Sequence, residues 1–261
     1  MSRLESVFAT ARAESRAALI GYLPAGFPTV EGSKDVLRTM VAEGCDIVEV
    51  GLPFSDPVMD GPTIQAAAET ALRAGFRVRD LFGVVESVAS TGGKPVVMTY
   101  WNPVLAYGVD RFARDLAAAG GLGLITPDLV PDEAEDWLAA SEEHDLDRIF
   151  LVAPSSTEER IDLTARASRG FLYATSVMGV TGARDVVSSA APTLVGRVRE
   201  HTSLPIGVGL GVRGGDQAAE LAAFADGVIV GSAFVTAVEQ GTVGALTREL
   251  AEGVRRVATS A

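Results

Sequence analysis

Short apolar segments alternate with longer segments of helical period along nearly the whole chain. The apolar segments are rich in β-branched residues and the longer ones in Ala, Leu, Glu and Arg, a pattern typical of a parallel sheet covered by helices. Eight strands are predicted, at Ala17–Tyr22, Asp46–Val50, Pro95–Thr99, Leu122–Ile125, Arg148–Val152, Phe171–Ala174, Pro205–Val208 and Gly227–Val230. The helices between them are predicted at Val30–Ala42, Pro62–Arg73, Asp110–Ala118, Pro131–Glu143, Thr157–Ala167, Ala191–Glu200, Asp216–Phe224 and Ala233–Glu239.

Eight strand–helix units within 261 residues predict an α/β fold, a single (β/α)8 TIM barrel that spans residues 1–261 as one catalytic domain. Extra helices are expected at the N-terminus, after the second strand (Val78–Ser90) and at the C-terminus (Val243–Val257). Periodicity alone leaves a doubly wound open sheet as the alternative. Two connections that follow strands are long, Gly51–Gly61 and Thr175–Ala190, and loops of this length are usually functional lids.

The charge and the cysteine count narrow the class of protein. The net charge of −12 argues against nucleic-acid or anionic-membrane partners, which are bound mainly through Lys and Arg. No apolar run approaches the roughly 20 residues that span a bilayer, and the first residues lack a secretory apolar region. The single cysteine, Cys45, excludes an internal disulfide and a multi-cysteine metal site. We therefore expect a cytoplasmic protein that acts on a small molecule.

Lysine and histidine are scarce, which limits the chemistry available to the barrel. Lys34 and Lys94 are the two lysines, and His144 and His201 are the two histidines. Three of the four precede predicted strands and Lys34 lies on a predicted outer helix, whereas the active end of a TIM barrel follows the strands. We therefore expect neither a Schiff-base lysine nor a histidine-bound catalytic metal. Carboxyl and tyrosine side chains remain for proton transfer.

Two acidic residues are well placed for that chemistry. Glu49 lies in the apolar strand Asp46–Val50, where burial would raise its pKa and make it a general acid or base near neutral pH. Asp60 follows in a Pro-rich loop, directly before Gly61, and could be held over the same barrel end. A structural Glu paired with an Arg, and an Asp that only forms a turn, remain the alternatives. Other polar residues at or just beyond strand ends are Tyr22, Tyr100, Asp128 and Tyr173.

A phosphate site is predicted after the last two strands. Glycines recur in Gly207–Val212, and Gly231 and Ser232 follow the last strand. In barrels these two loops often bind phosphate through backbone N–H groups and a helix N-terminus, with Ser232 expected here as the N-cap. Tight turns with an ordinary helix cap are the alternative. The two loops together, in this order, favour phosphate binding.

The run Glu49–Gln65, E-V-G-L-P-F-S-D-P-V-M-D-G-P-T-I-Q, closely resembles the signature of the tryptophan synthase α-subunit family. Four shorter segments match the family in order and spacing. They are M-T-Y-W-N-P at Met98–Pro103, P-D-L at Pro127–Leu129, G-V-T-G at Gly179–Gly182 and G-V-I-V-G-S at Gly227–Ser232. The resemblance covers nearly the whole chain, and the first run is its most specific part.

The resemblance implies a TIM-barrel lyase that cleaves indole-3-glycerol phosphate to indole and glyceraldehyde 3-phosphate in tryptophan biosynthesis. It implies that Glu49 protonates indole C3 and handles the proton of the side-chain hydroxyl, and that Asp60 stabilises the cationic intermediate at the indole N–H. Tyr173 matches the family's active-site tyrosine, and Thr181 matches the lid threonine that orients the catalytic Asp. The substrate-binding residues implied are Tyr22, Met98, Tyr100, Ile125 and Leu210 around indole, Thr181 in the lid, and Gly182, Gly211, Gly231 and Ser232 at phosphate.

Two positions depart from the family. Tyr22 stands where many members have Phe, which adds a hydroxyl to the indole pocket. Phe27 stands where many members have Asp, so any contact of that Asp is missing here.

The resemblance also implies a partner, a pyridoxal-phosphate β subunit in an αββα assembly that receives indole through a tunnel. No cofactor and no metal are expected in this chain itself. The implied interface residues are Pro53, Asp56, Pro57, Trp101, Asn102, Pro103, Leu105 and Tyr107, with an apolar rim that includes Val104. Because this rim adjoins the lid, we expect the β subunit to activate cleavage.

Several alternatives stay open at this point. A free-standing indole-3-glycerol-phosphate lyase would act without a partner, and a catalytically silent subunit would only activate the β subunit. Another phosphate-binding barrel, such as a phosphosugar isomerase, is the third alternative. The pairing of Glu49 with Asp60 beside an apolar pocket argues against the last two.

Overall fold

Every β-strand in the described part of the chain belongs to one parallel sheet that closes into a barrel. The computed structural model describes residues 1–175, 190–209 and 211–256. The strands are β1 Ala18–Pro24, β2 Ile47–Gly51, β3 Pro95–Met98, β4 Gly123–Ile125, β5 Asp147–Ile149, β6 Leu151–Val152, β7 Leu172–Thr175, β8 Ile206–Gly209 and β9 Gly227–Val230.

Apart from α1, the helices pack on the outside of this sheet. They are α1 Arg3–Ala13, α2 Val30–Ala42, α3 Pro62–Arg73, α4 Val78–Ala89, α5 Trp101–Tyr107, α6 Val109–Ala118, α7 Glu135–Glu143, α8 Glu158–Ala167, α9 Ala190–Arg199, α10 Gly215–Ala222, α11 Ser232–Gln240 and α12 Val243–Gly253. A short 3-10 helix, Pro131–Glu133, precedes α7. Across the described ranges, no helix combines the length and the apolar character needed to cross a membrane.

The strand order confirms the (β/α)8 prediction. The order is β5-β4-β3-β2-β1-β9-β8-β7-β6, and every pairing is parallel. The two ends of this order, β5 and β6, are halves of the predicted fifth strand and are separated only by Phe150. The sheet therefore returns to its own starting strand, which excludes the doubly wound alternative.

Alternate side chains of the strands fill the barrel interior, because successive residues of a strand point to opposite faces. Ile20, Ile47, Val96 and Ile229 belong to this buried interior cluster, while the opposite faces pack under the helices. Helix α1 closes the end of the barrel where the strands begin, since Phe8 lies 5.3 Å from Phe171 between ring centroids. The opposite end, where the strands terminate, is called the barrel mouth below.

Several predicted boundaries were wrong, and each error has a local cause. Trp101–Tyr107 forms a helix that was not predicted, and its Pro103 lies in the first turn, where a missing N–H is tolerated. The predicted helix Pro131–Glu143 is interrupted at Ala134, which separates the 3-10 turn from α7. The C-terminal helix ends at Gly253, where the backbone packs closely against Gly215.

Candidate active site

Glu49 projects from β2 into the barrel interior, on the same face as Ile47. Its side chain is 1% exposed, and its Oε1 has no hydrogen-bond partner among the residues that the structure describes. Burial raises the pKa of Glu49 to about 8, because an apolar surrounding disfavours the carboxylate. Glu49 is therefore mostly protonated at neutral pH and can donate a proton to a bound molecule.

Asp60 lies at the end of the loop that follows β2, directly before Gly61, the N-cap residue of α3. The side-chain amide of Gln65 donates to the Asp60 backbone carbonyl at 2.8 Å, which ties the loop to α3. Partial burial raises the pKa of Asp60, and a hydrogen bond from the Tyr100 hydroxyl opposes that rise. The Tyr100 bond thus favours the ionised form of Asp60.

Tyr100 connects the loop to the strand layer. Its hydroxyl accepts a hydrogen bond from the Met59 backbone N–H at 3.0 Å, so one hydroxyl contacts two successive residues of the loop. The ring of Phe54 packs against Tyr100 with 5.2 Å between centroids. Burial raises the pKa of Tyr100 to about 12, and its hydroxyl therefore stays protonated and able to donate.

Two further tyrosines cross the barrel mouth above strand-terminal glycines. A Cβ on Gly51 would lie 2.4 Å from the Tyr22 hydroxyl oxygen, and a Cβ on Gly209 would lie 2.4 Å from that of Tyr173. Only glycine leaves room for the rings at these two positions. Burial, together with the nearby carboxyl groups, raises the pKa of both tyrosines well above the ordinary value.

Apolar side chains line the other side of the mouth. Met98 pairs with Gly51 across β2 and β3, and Ile125 pairs with Met98 across β3 and β4. Both belong to the interior cluster together with Tyr173. Leu151 of β6 packs in the same cluster and was missed, although its alternation with Ile149 indicates an inward position. These side chains form an apolar wall on the same inward face as Glu49.

The two loops predicted to bind phosphate follow β8 and β9, in the other half of the strand order. Gly211 has a φ of +64°, a left-handed conformation that favours glycine. Gly231 is the N-cap of α11, and Ser232 is its first helical residue, so the expectation that Ser232 caps the helix was wrong. The first N–H groups of a helix have no intrahelical acceptor and are available to an anion. Thr181, Gly182 and Leu210 lie outside the described residues.

The predicted interface residues differ in how much surface they offer. Pro53 and Val104 were expected in the interface, but both are buried and add little exposed surface to it. Leu105 is 51% exposed on α5, and Val58 is 70% exposed in the loop after β2. Tyr107 donates to Asp115 at 2.6 Å and packs within the helix layer. The remaining interface residues are half-buried (Pro57, Trp101, Pro103) or exposed (Asp56, Asn102).

Outside the barrel mouth, the described residues include one group of potential metal ligands. Asp110, Glu143 and His144 bring ligand atoms within 4.8 Å of one another, and both carboxylates are exposed. The Nε2 atom of His144 lies 2.9 Å from Asp110. None of these residues belongs to the mouth built around Glu49 and Asp60.

Known proteins are similar to this chain in sequence over nearly its full length. The family described as tryptophan synthase alpha chain matches residues 8–260. The tryptophan synthase alpha chain of Nocardia farcinica is 70% identical over 97% of this chain and 96% of its own length. That of Mycobacterium tuberculosis strain H37Rv is 67% identical over 97% and 95%.

Solved structures agree with the sequence comparison. A structure of Mycobacterium tuberculosis tryptophan synthase superposes with a TM-score of 0.95 at 66% identity, covering 97% of this chain and 98% of that one. The tryptophan synthase subunit alpha of Legionella pneumophila gives a TM-score of 0.86 at 31% identity, covering 98% and 100%. The chain therefore belongs to the tryptophan synthase α-chain family, TIM-barrel lyases that act on indole-3-glycerol phosphate.

Proposed function

We propose that residues 1–261 form one catalytic domain that cleaves indole-3-glycerol phosphate to indole and glyceraldehyde 3-phosphate, with Glu49 as the proton-transfer residue. The observation that carries this proposal is the buried, largely protonated Glu49 beside an apolar wall and a second carboxyl group. A retro-aldol cleavage that uses indole as its electron sink needs an acid at C3 and a negative charge near the ring nitrogen. Glu49 and Asp60 supply these two groups.

Glu49 transfers a proton in each of two steps, first as an acid and then as a base. Glu49 first protonates indole C3, which leaves the ring nitrogen with a positive charge and Glu49 as a carboxylate. The carboxylate then takes the proton of the hydroxyl on the adjacent side-chain carbon. The O–H electrons form the aldehyde C=O, and the electrons of the breaking C–C bond return to the ring. Glu49 ends protonated, as it began.

Asp60 stabilises the charge that develops between these steps. An ionised carboxylate that accepts a hydrogen bond from the ring N–H favours the cationic intermediate over the neutral substrate, which is the condition for catalysis. The Tyr100 hydroxyl favours this ionised form and fixes its orientation. We assign Tyr173 to the same polar side of the site, because its protonated hydroxyl can donate to the substrate.

The remaining contacts divide the substrate into an apolar and an anionic end. We assign Met98 and Ile125 of the apolar wall to the indole ring, together with Tyr22, whose position on β1 pairs with Glu49 on β2. Gly211, Gly231 and Ser232 are assigned to the phosphate through backbone N–H groups, which need no lysine. Thr181, Gly182 and Leu210 remain assigned to the substrate on the resemblance alone.

The proposal gives this chain no cofactor and no metal, and it assigns pyridoxal phosphate to the β partner. We propose that indole passes to that subunit in an αββα assembly, with Val58 and Leu105 in the interface. The enzyme is placed in the cytoplasm on the resemblance to a biosynthetic enzyme.

The experiment is an assay of indole release from indole-3-glycerol phosphate, with and without saturating β subunit. Weak release that rises strongly with the partner is the expected result. Fast release without the partner would instead identify a free-standing lyase. No release in either condition, with β-subunit activity raised by this chain, would identify a silent activator and overturn the proposal.

A further inference from the structure

Asp128 holds the start of α5 from a distant part of the chain. It follows β4, and its two carboxylate oxygens lie 2.9 and 3.1 Å from the backbone nitrogen of Trp101, from which both accept a hydrogen bond. Trp101 is the first residue of α5, and the N-cap residue Tyr100 makes no capping bond with its own side chain. The N-terminus of α5 therefore takes its cap from a carboxylate 27 positions away.

This cap acts on Tyr100, the residue that contacts the loop between β2 and α3 that carries Asp60. Tyr100 directly precedes Trp101, so fixing the Trp101 N–H also fixes the backbone from which the Tyr100 ring extends. The ring's hydroxyl then contacts Met59 and Asp60. A continuous path of contacts leads from Asp128 through Trp101 and Tyr100 to Asp60.

We propose that Asp128 is a positioning residue for Asp60 and that it acts through the placement of Tyr100. This inference rests on the role of Asp60 in the proposed function. Asp128 is exposed at the edge of the mouth and contacts a backbone N–H rather than the reacting atoms. Its contribution is geometric, because catalysis depends on holding a group within a fraction of an ångström of its productive position.

The side-chain chemistry of position 128 gives a graded test. Asp128→Ala removes both acceptor oxygens, whereas Asp128→Asn keeps one carbonyl oxygen that can accept from Trp101. We expect Asp128→Ala to lower kcat about tenfold with little change in KM, since a misplaced catalytic group slows the chemical step. Asp128→Asn should keep kcat within about twofold of the wild-type value.

A double-mutant cycle tests the path itself. If Asp128 acts through Tyr100, Asp128→Ala combined with Tyr100→Phe should lose no more activity than the more damaging single variant. The acid limb of the kcat/KM profile should move to higher pH in both single variants, because each weakens the bond that favours ionised Asp60. The other titratable groups close to Asp60 are Tyr22 and Tyr173, whose pKa values are raised by the charges of Asp60 and Glu49, and neither variant changes these three neighbours.

A matched control separates positioning from simple helix capping. The Asp80 carboxylate accepts a hydrogen bond from the Arg77 backbone N–H at 2.8 Å at the start of α4. Asp80→Ala should leave kcat and the acid limb unchanged while removing a comparable cap. The full chain is assayed without the β subunit, so that a lost partner contact at exposed Asp128 cannot lower the rate.

The outcomes distinguish this inference from the proposed function. Asp60→Asn in the same assay reports on Asp60 alone, and wild-type turnover there overturns the role on which the inference rests. Loss in Asp60→Asn with wild-type kcat in Asp128→Ala, or additive losses in the double variant, overturns the inference only. Should Asp128→Ala fail to fold, Asp128→Gln keeps a polar side chain but is one methylene longer, which displaces the carbonyl oxygen. The same loss is expected there, and wild-type kcat overturns the inference.

Discussion

Tyr22 and Glu49 are paired positions on adjacent strands, so the tyrosine ring and the buried carboxyl group reach the barrel mouth side by side. The next inward position on β2 is Gly51, and the Tyr22 hydroxyl occupies the space that a Cβ there would fill. The ring thus covers the end of β2 and helps to keep water from Glu49. The register of β1 and β2 therefore contributes to both the pocket and the raised pKa of Glu49.

Replacement of Glu49 by Gln should abolish most of the cleavage. We expect kcat to fall by about 10²- to 10⁴-fold, the usual contribution of a general acid or base. Gln is similar in size and donates hydrogen bonds, but it cannot transfer a proton. Binding of the β subunit should be unchanged. Indole release and co-purification of the two subunits measure these effects, and wild-type turnover would remove Glu49 from the mechanism.

The same variant should change how stability depends on pH. The pKa of Glu49 is about 8 in the folded chain and near 4.5 when unfolded, so between these values the folded state binds more protons. The free energy of unfolding should therefore fall as pH rises from about 4.5 to 8, by up to about 1.4 kcal/mol per pH unit from this group. Denaturant unfolding of wild type and Glu49→Gln at pH 5.5 and 7.5 isolates the difference. Parallel pH dependences in the two proteins would contradict the buried pKa.

The rate of cleavage should follow a bell-shaped pH profile. The reaction begins with protonated Glu49, so kcat/KM should fall as pH rises through about 8. It also needs ionised Asp60, whose pKa is raised by burial, so the acid limb should lie above the ordinary range of Asp. Steady-state indole release at saturating and low substrate between pH 5 and 9.5 measures both limbs. A rate that stays level from pH 7 to 9.5 would exclude Glu49 as the first acid.

Gly209→Ala should displace the Tyr173 ring and lower turnover. The added methyl group would lie 2.4 Å from the hydroxyl oxygen, but 3.0 Å or more from the nearest ring carbons. Tyr173→Phe removes the oxygen and relieves most of the overlap. The double variant should therefore be more active than Gly209→Ala alone, a reversal that a general loss of folding would not produce. A double variant no better than Gly209→Ala would place the damage elsewhere in β8.

The sequence predicts those parts of the molecule that depend on the local pattern of apolar and polar residues. The order of strands and helices and the burial of Glu49 follow from periodicity, because the barrel requires inward side chains at every second strand position. The bond from Tyr100 to the Asp60 loop and the cap from Asp128 to Trp101 could not be predicted. Each joins segments 27 or more positions apart through side-chain geometry that no local pattern encodes.

The division of the fifth predicted strand into β5 and β6 also could not be predicted from the hydrophobic pattern. Arg148–Val152 was predicted as one strand, whereas its two halves pair with different neighbours on either side of Phe150. The change of partner depends on how the whole sheet closes rather than on the residues of that segment.

Ser2→Ala should destabilise the chain without changing cleavage by the folded enzyme. The Ser2 hydroxyl donates to buried Asp147 at 2.7 Å and accepts from the Glu5 N–H, which holds α1 against the closed end of the barrel. Loss of a cap and of a buried partner should cost about 1–3 kcal/mol. Ser6→Ala removes an exposed hydroxyl bond on the same helix and should cost well under 1 kcal/mol. Equal losses in thermal unfolding would contradict a role for Ser2 in anchoring α1.

Leu105→Asp should weaken assembly with the β subunit while leaving partner-free cleavage unchanged. Leu105 is 51% exposed on α5, and a charge buried at an interface without a counter-charge costs several kcal/mol. The Kd should rise at least tenfold, and activation should require correspondingly more β subunit. Titration of indole release with the partner measures both the affinity and the maximal rate.

The control for this surface is Leu163→Asp. Leu163 is 40% exposed on α8, outside the proposed interface, so the same chemical change there should leave the titration unaltered. A normal maximal rate in Leu105→Asp at high β-subunit concentration would show that the variant keeps its active site and has lost affinity only. An unchanged Kd in Leu105→Asp, or an equal loss in Leu163→Asp, would mean that α5 does not carry the partner contact.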